Sequence, residues 1–140
     1  MKNNIFRLRL NNKKVGYKKF HSSSMFFYSV DLYGWSSKEI DHNEIDHSTS
    51  KKDKNNRLLF EGDLIKLKHY PEHFGLIYYD HTHLEFITLL FNDDEIFRPS
   101  FILNETQPSH LTFYAYIFEN EEICGQLKEW FSQQNLLFKF

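Results

Sequence analysis

Apolar and polar positions alternate from the start of the chain. Over Ile5–Leu10, Phe6, Leu8 and Leu10 share one face and Arg7 and Arg9 take the other, which predicts a first strand with its arginines pointing away from the core. Asn11-Asn12 with Lys13-Lys14 reads as a hairpin turn, because Asn tolerates positive φ. An edge strand through Val15-Gly16-Tyr17 is expected next, then a loop over His21–Ser24 and a dense aromatic strand over Met25–Tyr33 that Gly34 ends. Residues 34–50 are polar and read as a loop or short helical turn. Their echo of Ile40-Asp41-His42 in Ile45-Asp46-His47 is too short to define a repeat architecture.

The stretch Thr49–Leu67 organises the rest. Lys51 to Arg57 is too polar to bury and turns at Asn55-Asn56, and Leu58, Leu59 and Phe60 return as a strand. Glu61-Gly62-Asp63 breaks that strand, with Gly62 supplying a backbone shape a Cβ would resist. Beyond it Ile65 and Leu67 share one face and Lys66 and Lys68 the other, as in a half-buried strand.

After a loop at Tyr70-Pro71-Glu72-His73, strands are expected over Gly75–Tyr79 and Leu84–Phe91, joined by Asp80-His81-Thr82-His83. Asn92-Asp93-Asp94 reads as a turn. Ile96–Leu103 is a weaker strand because Pro99 cannot donate to a ladder within a sheet. Leu111–Phe118 is the last good strand. A C-terminal helix spans about 120–133: Asn120 caps it, Glu121 and Glu122 favour its N-terminal dipole, and Ile123, Leu127, Trp130 and Phe131 make one apolar stripe. Trp130 and Phe131 are both expected to be largely buried. Leu136–Phe140 is an apolar tail, either a closing strand or a segment that packs on a partner. The fold class is mainly β: antiparallel hairpins forming a small SH3-like barrel or curled sheet, with a C-terminal α-helix, in a single domain over residues 1–140.

Three short segments resemble the YopX family of phage and prophage proteins. The family pattern T-G-L-K-D-K-N-G-K-E-I-Y-E-G-D-I-V is met by Thr49, Lys52-Asp53-Lys54-Asn55, Phe60-Glu61-Gly62-Asp63 and Leu64-Ile65, with Ser50 and Asn56 in place of two glycines. Ala115-Tyr116-Ile117-Phe118-Glu119-Asn120-Glu121-Glu122-Ile123 is similar to the family's G-N-I-Y-E-N-P-E-L. Phe6-Arg7 is a weaker match, followed by Arg9-Leu10 where the family has Trp-Asp. The resemblance implies a phage or prophage setting. It brings no agreed biochemical activity and no site residues.

Composition fits that setting. A hydrophobic content of 41% with 15 Phe and 8 Tyr argues for a folded protein, and a single Ala among many aromatics tilts it towards strands. The abundance of Lys, Asn, Ile, Phe and Tyr, with their A/T-rich codons, suggests a low-GC genome. One cysteine, Cys124, excludes an internal disulfide and a cysteine zinc cluster and fits a reducing compartment. The N-terminal MKNNIFRLRLNNKK has no apolar run of signal-peptide length and no segment approaches a membrane span, so the expected location is the cytoplasm of the bacterial host.

Net charge is −2, unevenly placed: residues 1–20 carry seven positives and no acid, leaving ten positives against nineteen acids in the remainder, or −9. Such asymmetry either marks an anionic partner or pairs with the protein's own acidic surface. Arg7, Arg9, Lys13, Lys14, Lys18 and Lys19 are therefore the candidate nucleic-acid-binding residues, with Tyr17 interleaved.

Other chemistry is weaker. His81 and His83 share a face in an extended strand, with His69 and His73 upstream, but Asp80 and Thr82 make the same residues a turn. Asp41-His42 and Asp46-His47 lack an indicated third ligand. Cys124 sits near a helix N-terminus, yet Glu121 and Glu122 oppose a thiolate. Glu61 and Asp63, two apart around a glycine, are more simply turn residues than an acid/base pair. Phosphate-binding, dinucleotide and nucleophile-elbow motifs are absent from the sequence.

No catalytic residue, cofactor or metal is assigned. The expected function is that of a small non-enzymatic accessory protein that binds a protein partner, an inhibitor of a host enzyme or host defence system being the special case. Weak nucleic-acid binding through the basic arm is the alternative, and homo-oligomerisation is compatible with either.

Overall fold

A computed structural model describes residues 5–29, 34–92 and 96–135, by backbone alone over 96–101. Among these residues ten strands form two antiparallel five-stranded sheets, with one α-helix at the C-terminal end. The part of the expected Met25–Tyr33 strand beyond Ser29, the Asp93-Asp94 turn and the Leu136–Phe140 tail lie outside the described residues. Among the described residues the sheets do not close into one barrel; they are the curled-sheet form of the expectation.

The first sheet has the order β3-β2-β1-β4-β5, built from β1 (Ile5–Leu10), β2 (Lys13–His21), β3 (Ser24–Ser29), β4 (Glu44–Lys52) and β5 (Leu58–Phe60). Its first hairpin turns on Asn11 and Asn12 at φ of 52° and 63°, both in the left-handed region that a two-residue turn of matching twist requires. Ser22 and Ser23 repeat the device between β2 and β3, at φ of 50° and 67°. Two expectations are corrected here. The strand through Val15–Tyr17 is not an edge, since β2 lies between β1 and β3. The polar stretch before Ser50 is not a loop throughout, because β4 runs through it and buries Asp46, Ser48 and Thr49.

The second sheet has the order β10-β6-β7-β8-β9: β6 (Asp63–Leu67), β7 (Tyr70–Asp80), β8 (Glu85–Phe91), β9 (Ile96–Ile102) and β10 (Leu111–Tyr116). β7 begins at Tyr70, so the expected loop at 70–73 is strand. Pro99 is accommodated because β9 is the edge strand and its register with β8 shifts at Leu89. Alternation along β6 splits the core in two. Leu64 joins Leu76, Tyr78, Leu89 and Phe91 beneath the helix, while Ile65 and Leu67 join Ile77, Leu90, Leu103, Leu111 and Leu59 on the opposite face.

The chain passes from the first sheet to the second at Glu61-Gly62. Gly62 has φ +86°, its N–H donates to Ile77 O at 2.8 Å, and its carbonyl accepts from Ile117 N at 3.0 Å. This one peptide unit thereby ties β7 to the segment leading into the helix. Helix α1 (Glu121–Gln133) is capped as expected, with Asn120 Oδ1 accepting from Ile123 N at 3.3 Å. It buries Leu127 and Phe131 fully and packs the less completely covered Trp130 against the same cluster.

Candidate functional site

The largest surprise is β1. Arg7 and Arg9 are 1% and 2% exposed, on a buried face of the strand, while Leu8 fills the other. Burying guanidinium groups is costly unless each donor finds a partner. Here Asp46 stands directly opposite Arg7 on β4 and accepts from both arginines: Arg7 Nε and Arg9 Nε each lie 2.9 Å from Oδ2, and Arg9 Nη2 lies 2.9 Å from Oδ1. Arg7 Nη1 pairs with Asp63, and Arg7 Nη2 donates to Glu61 O at 3.0 Å. Arg9 Nη1 donates to Asn12 Oδ1 at 2.8 Å, fastening the first hairpin turn.

Aromatic faces close the remaining sides. The Arg7 guanidinium lies 5.1 Å from the Phe60 ring, 4.8 Å from Tyr116 and 5.1 Å from Phe118, and Arg9 lies 4.5 Å from Phe118. Burial alone would lower the Arg7 pKa, but the charges of Asp63 and Asp46 outweigh it and hold it above its ordinary value. Burial likewise pushes the Asp63 carboxyl up, against the pull of Arg7 and of the Phe60 N–H that donates to Oδ2 at 2.8 Å. Asp63 opens β6, so this cluster joins the two sheets.

The expectation that the arginines of β1 point away from the core is therefore corrected. Arg7 and Arg9 present no guanidinium edge to a phosphate. Lys14 is half-buried and donates to Tyr116 Oη at 3.0 Å. Lys13 is exposed. Lys18 lies 5.8 Å from the Phe6 ring and Lys19 4.2 Å from the Trp35 ring; as successive residues of β2 they take opposite faces. The six cations do not form one basic patch.

Asp53 is a third buried carboxylate, which the sequence places in the Lys-Asp-Lys run. Its Oδ1 accepts from Asn55 N at 2.9 Å and Arg57 N at 3.0 Å, and its Oδ2 from Phe113 N at 2.8 Å, so it shapes the turn and pins it to β10. Burial would raise its pKa, but those N–H groups and the Arg57 charge outweigh it and hold the carboxyl below its ordinary range. A depressed folded pKa adds stability that is complete above the ordinary carboxylate value and is lost as pH falls through the lower folded one. Asp53→Asn sets an amide N–H₂ against one of the three donors. It should cost about 1–3 kcal/mol at neutral pH and flatten the acid side of the stability profile. Thermal melts of both proteins from neutral to acid pH check this; parallel profiles would show that Asp53 carries no linked stability.

The remaining candidates do not converge. Asp46 and His47 face opposite sides of β4, with His47 Nδ1 3.0 Å from Glu61 Oε1. His42 Nδ1 meets Ile40 O at 2.7 Å. In the turn between β7 and β8, Asp80 Oδ1 accepts from Thr82 N at 2.9 Å and Oδ2 lies 2.6 Å from His83 Nδ1, an interaction that raises the His83 pKa. Among the described residues, no group of three or more His, Cys, Asp or Glu is placed to hold a metal ion. Cys124 is half-buried, and burial pushes its thiol up, against the pull of Lys128 and Arg9. No described helix is long and apolar enough to cross a membrane.

Two surfaces stand out. The face of the first sheet that buries Arg7 runs outward along the β2–β3 hairpin as Tyr17, Lys19, His21, Phe26 and Tyr28. Tyr28 lies 5.5 Å from Trp35, which is 39% exposed, so rings and a lysine interleave there. The second surface, on the other sheet, is a groove of about 470 Å³ lined by Lys54, Lys66, Lys68, Ser109, His110 and Thr112, with Leu67 and Pro71. The groove was not legible beforehand, since strand pairing brings together residues far apart in sequence. No family model, curated protein or solved structure matches the chain.

Proposed function

We propose that this chain is a small non-enzymatic accessory protein of the YopX-like phage and prophage class, acting in the bacterial cytoplasm by binding a protein partner. A host enzyme or host defence protein is the partner class that this setting suggests. The observation that carries the reading is the β2–β3 face, where the exposed Trp35 packs on Tyr28 and Lys19 beside the partly exposed Phe26. Aromatic anchors dominate the energetics of protein interfaces, and the lysine suits an acidic partner surface. The family resemblance draws support from backbone geometry. Ser50 and Asn56, which stand where the family pattern has glycine, both have φ of 65°. With Arg7 and Arg9 held inside, the basic-arm alternative loses its two arginines.

The test is capture from host lysate, with and without nuclease, by the native chain and by a Lys19→Glu/Trp35→Ser variant. Both changes sit on the surface, so the fold should persist. A partner retained after nuclease and lost with the variant supports the reading. Capture that disappears with nuclease, or that the variant leaves unchanged, sinks it.

A further inference from the structure

The groove on the second sheet has a charge at odds with its surroundings. Residues 21–140 carry ten positives against nineteen acids, yet among the described residues three lysines and a histidine line this groove and no carboxylate does. The lysines are positioned by backbone. Lys54 N donates to Leu111 O at 2.9 Å and Lys68 N to His110 O at 3.0 Å, so their main chains are fastened beside consecutive residues at the start of β10. Lys66 pairs across the ladder with Thr112. Its Nζ lies 3.4 Å from the carbonyls of both Pro71 and His73 and 3.8 Å from the centre of the Phe74 ring. An ammonium has three donors, so this one is held in place with a proton to spare.

Among the described residues, Lys54 and Lys68 form no ion pair with a carboxylate. Asp53, the neighbour of Lys54, is turned inward with both oxygens engaged by backbone N–H groups. Like charges held in one concavity reinforce each other's potential and favour an anion that can meet several at once. The Ser109 and Thr112 hydroxyls add neutral donors, and His110 is fixed edge-on to His69 with ring centres 4.8 Å apart. Flat apolar surface stands close by: Tyr70 adjoins Pro71, and Tyr114, 51% exposed, has its ring centre 6.0 Å from Lys66 Nζ.

We propose that this groove binds a phosphate group carried on a nucleoside, its oxygens taken by Lys54, Lys66 and Lys68 and its base lying against Tyr70 or Tyr114. Phosphate and base together are the shared chemistry of a free nucleotide and of a nucleic-acid strand. This site is separate from the aromatic face of the β2–β3 hairpin and does not depend on it.

The test measures binding of ATP, inorganic pyrophosphate and a short oligothymidylate to the native chain at low salt. It is repeated with Lys54→Gln/Lys68→Gln and, as a charge-matched control, Lys13→Gln/Lys38→Gln. Both pairs are solvent-facing, and equal melting temperatures establish that all three proteins are folded. The expected result is binding of ATP or the oligonucleotide that weakens roughly tenfold or more in the groove variant and is unchanged in the control. For the oligonucleotide, the slope of log affinity against log salt should also fall by about two, one unit per lysine removed. ATP and oligonucleotide bound alike would identify a free nucleotide as the source, and oligonucleotide alone a strand. No binding of any probe, equal binding by the groove variant, or loss confined to the control would overturn the proposal.

Discussion

Arg7→Met should lower the stability of this protein by about 3–5 kcal/mol at neutral pH, although methionine fills most of the same space. The reason lies in what is left behind. Asp46 keeps Arg9 in a two-pronged contact, whereas Asp63 keeps only the Phe60 N–H. A buried carboxylate without its cation is driven towards its neutral form. In the variant the folded pKa of Asp63 therefore rises further above its unfolded value. Stability is then retained below the unfolded pKa and lost as pH rises through the folded one. The penalty should shrink on acidification, which cavity formation alone would not produce. Adding Asp63→Asn should recover much of the loss, since the side-chain oxygen can still accept from Phe60 N while the charge is gone. Urea unfolding of the single and double variants at two pH values decides the matter. A pH-independent loss, or a double variant no better than the single, would mean that Asp63 does not depend on Arg7.

Phe131→Ala should cost about 3–5 kcal/mol, and Trp130→Ala only about 1–2. Phe131 is 2% exposed and meets Tyr78 edge-on with ring centres 5.3 Å apart, in a cluster with Leu64, Leu76, Leu89, Phe91, Ile117 and Leu127. Trp130 packs against that cluster but is half-buried, so its truncation leaves no closed cavity. Thermal or denaturant melts rank the two directly. A larger loss from the tryptophan would require the helix to be rotated about its axis relative to the sheet. Removing the helix should expose the whole Leu64–Phe91 surface and abolish cooperative unfolding.

Much of the fold is legible in local sequence because much of it is made locally. The asparagine pair at 11–12 declares its hairpin, Gly62 its special backbone, and Asn120 with its two glutamates the helix start. What local pattern misreads is polarity with a distant partner. Arg7 and Arg9 alternate with leucines just as outward-facing arginines would, and nothing nearby signals that Asp46 and Asp63 await them. The same blindness hides β4: Glu-Ile-Asp-His-Ser-Thr-Ser has the composition of a loop, yet Asp46 meets the arginines and Thr49 Oγ1 donates to Leu59 O at 2.8 Å. The lysine groove is subject to the same limit, since Lys54, Lys66, Lys68 and His110 meet only through the pairing of β6 with β10 and the fastening of the Asp53 turn.

The arginine cluster also bears on the order in which this chain acquires structure during synthesis. β1 leaves the ribosome ahead of the residues that complete it: its charges are matched by residues 46 and 63 and its guanidinium faces are covered by rings at 116 and 118. The first hairpin can form early from its own turn, but it cannot turn that face inward until most of the chain has emerged. Contacts of this span slow folding, and the two ion pairs make premature closure unfavourable as well as slow. A strand made before its partners is thus among the last to be sealed, so that face of β1 stays in water until the residues that must cover it exist.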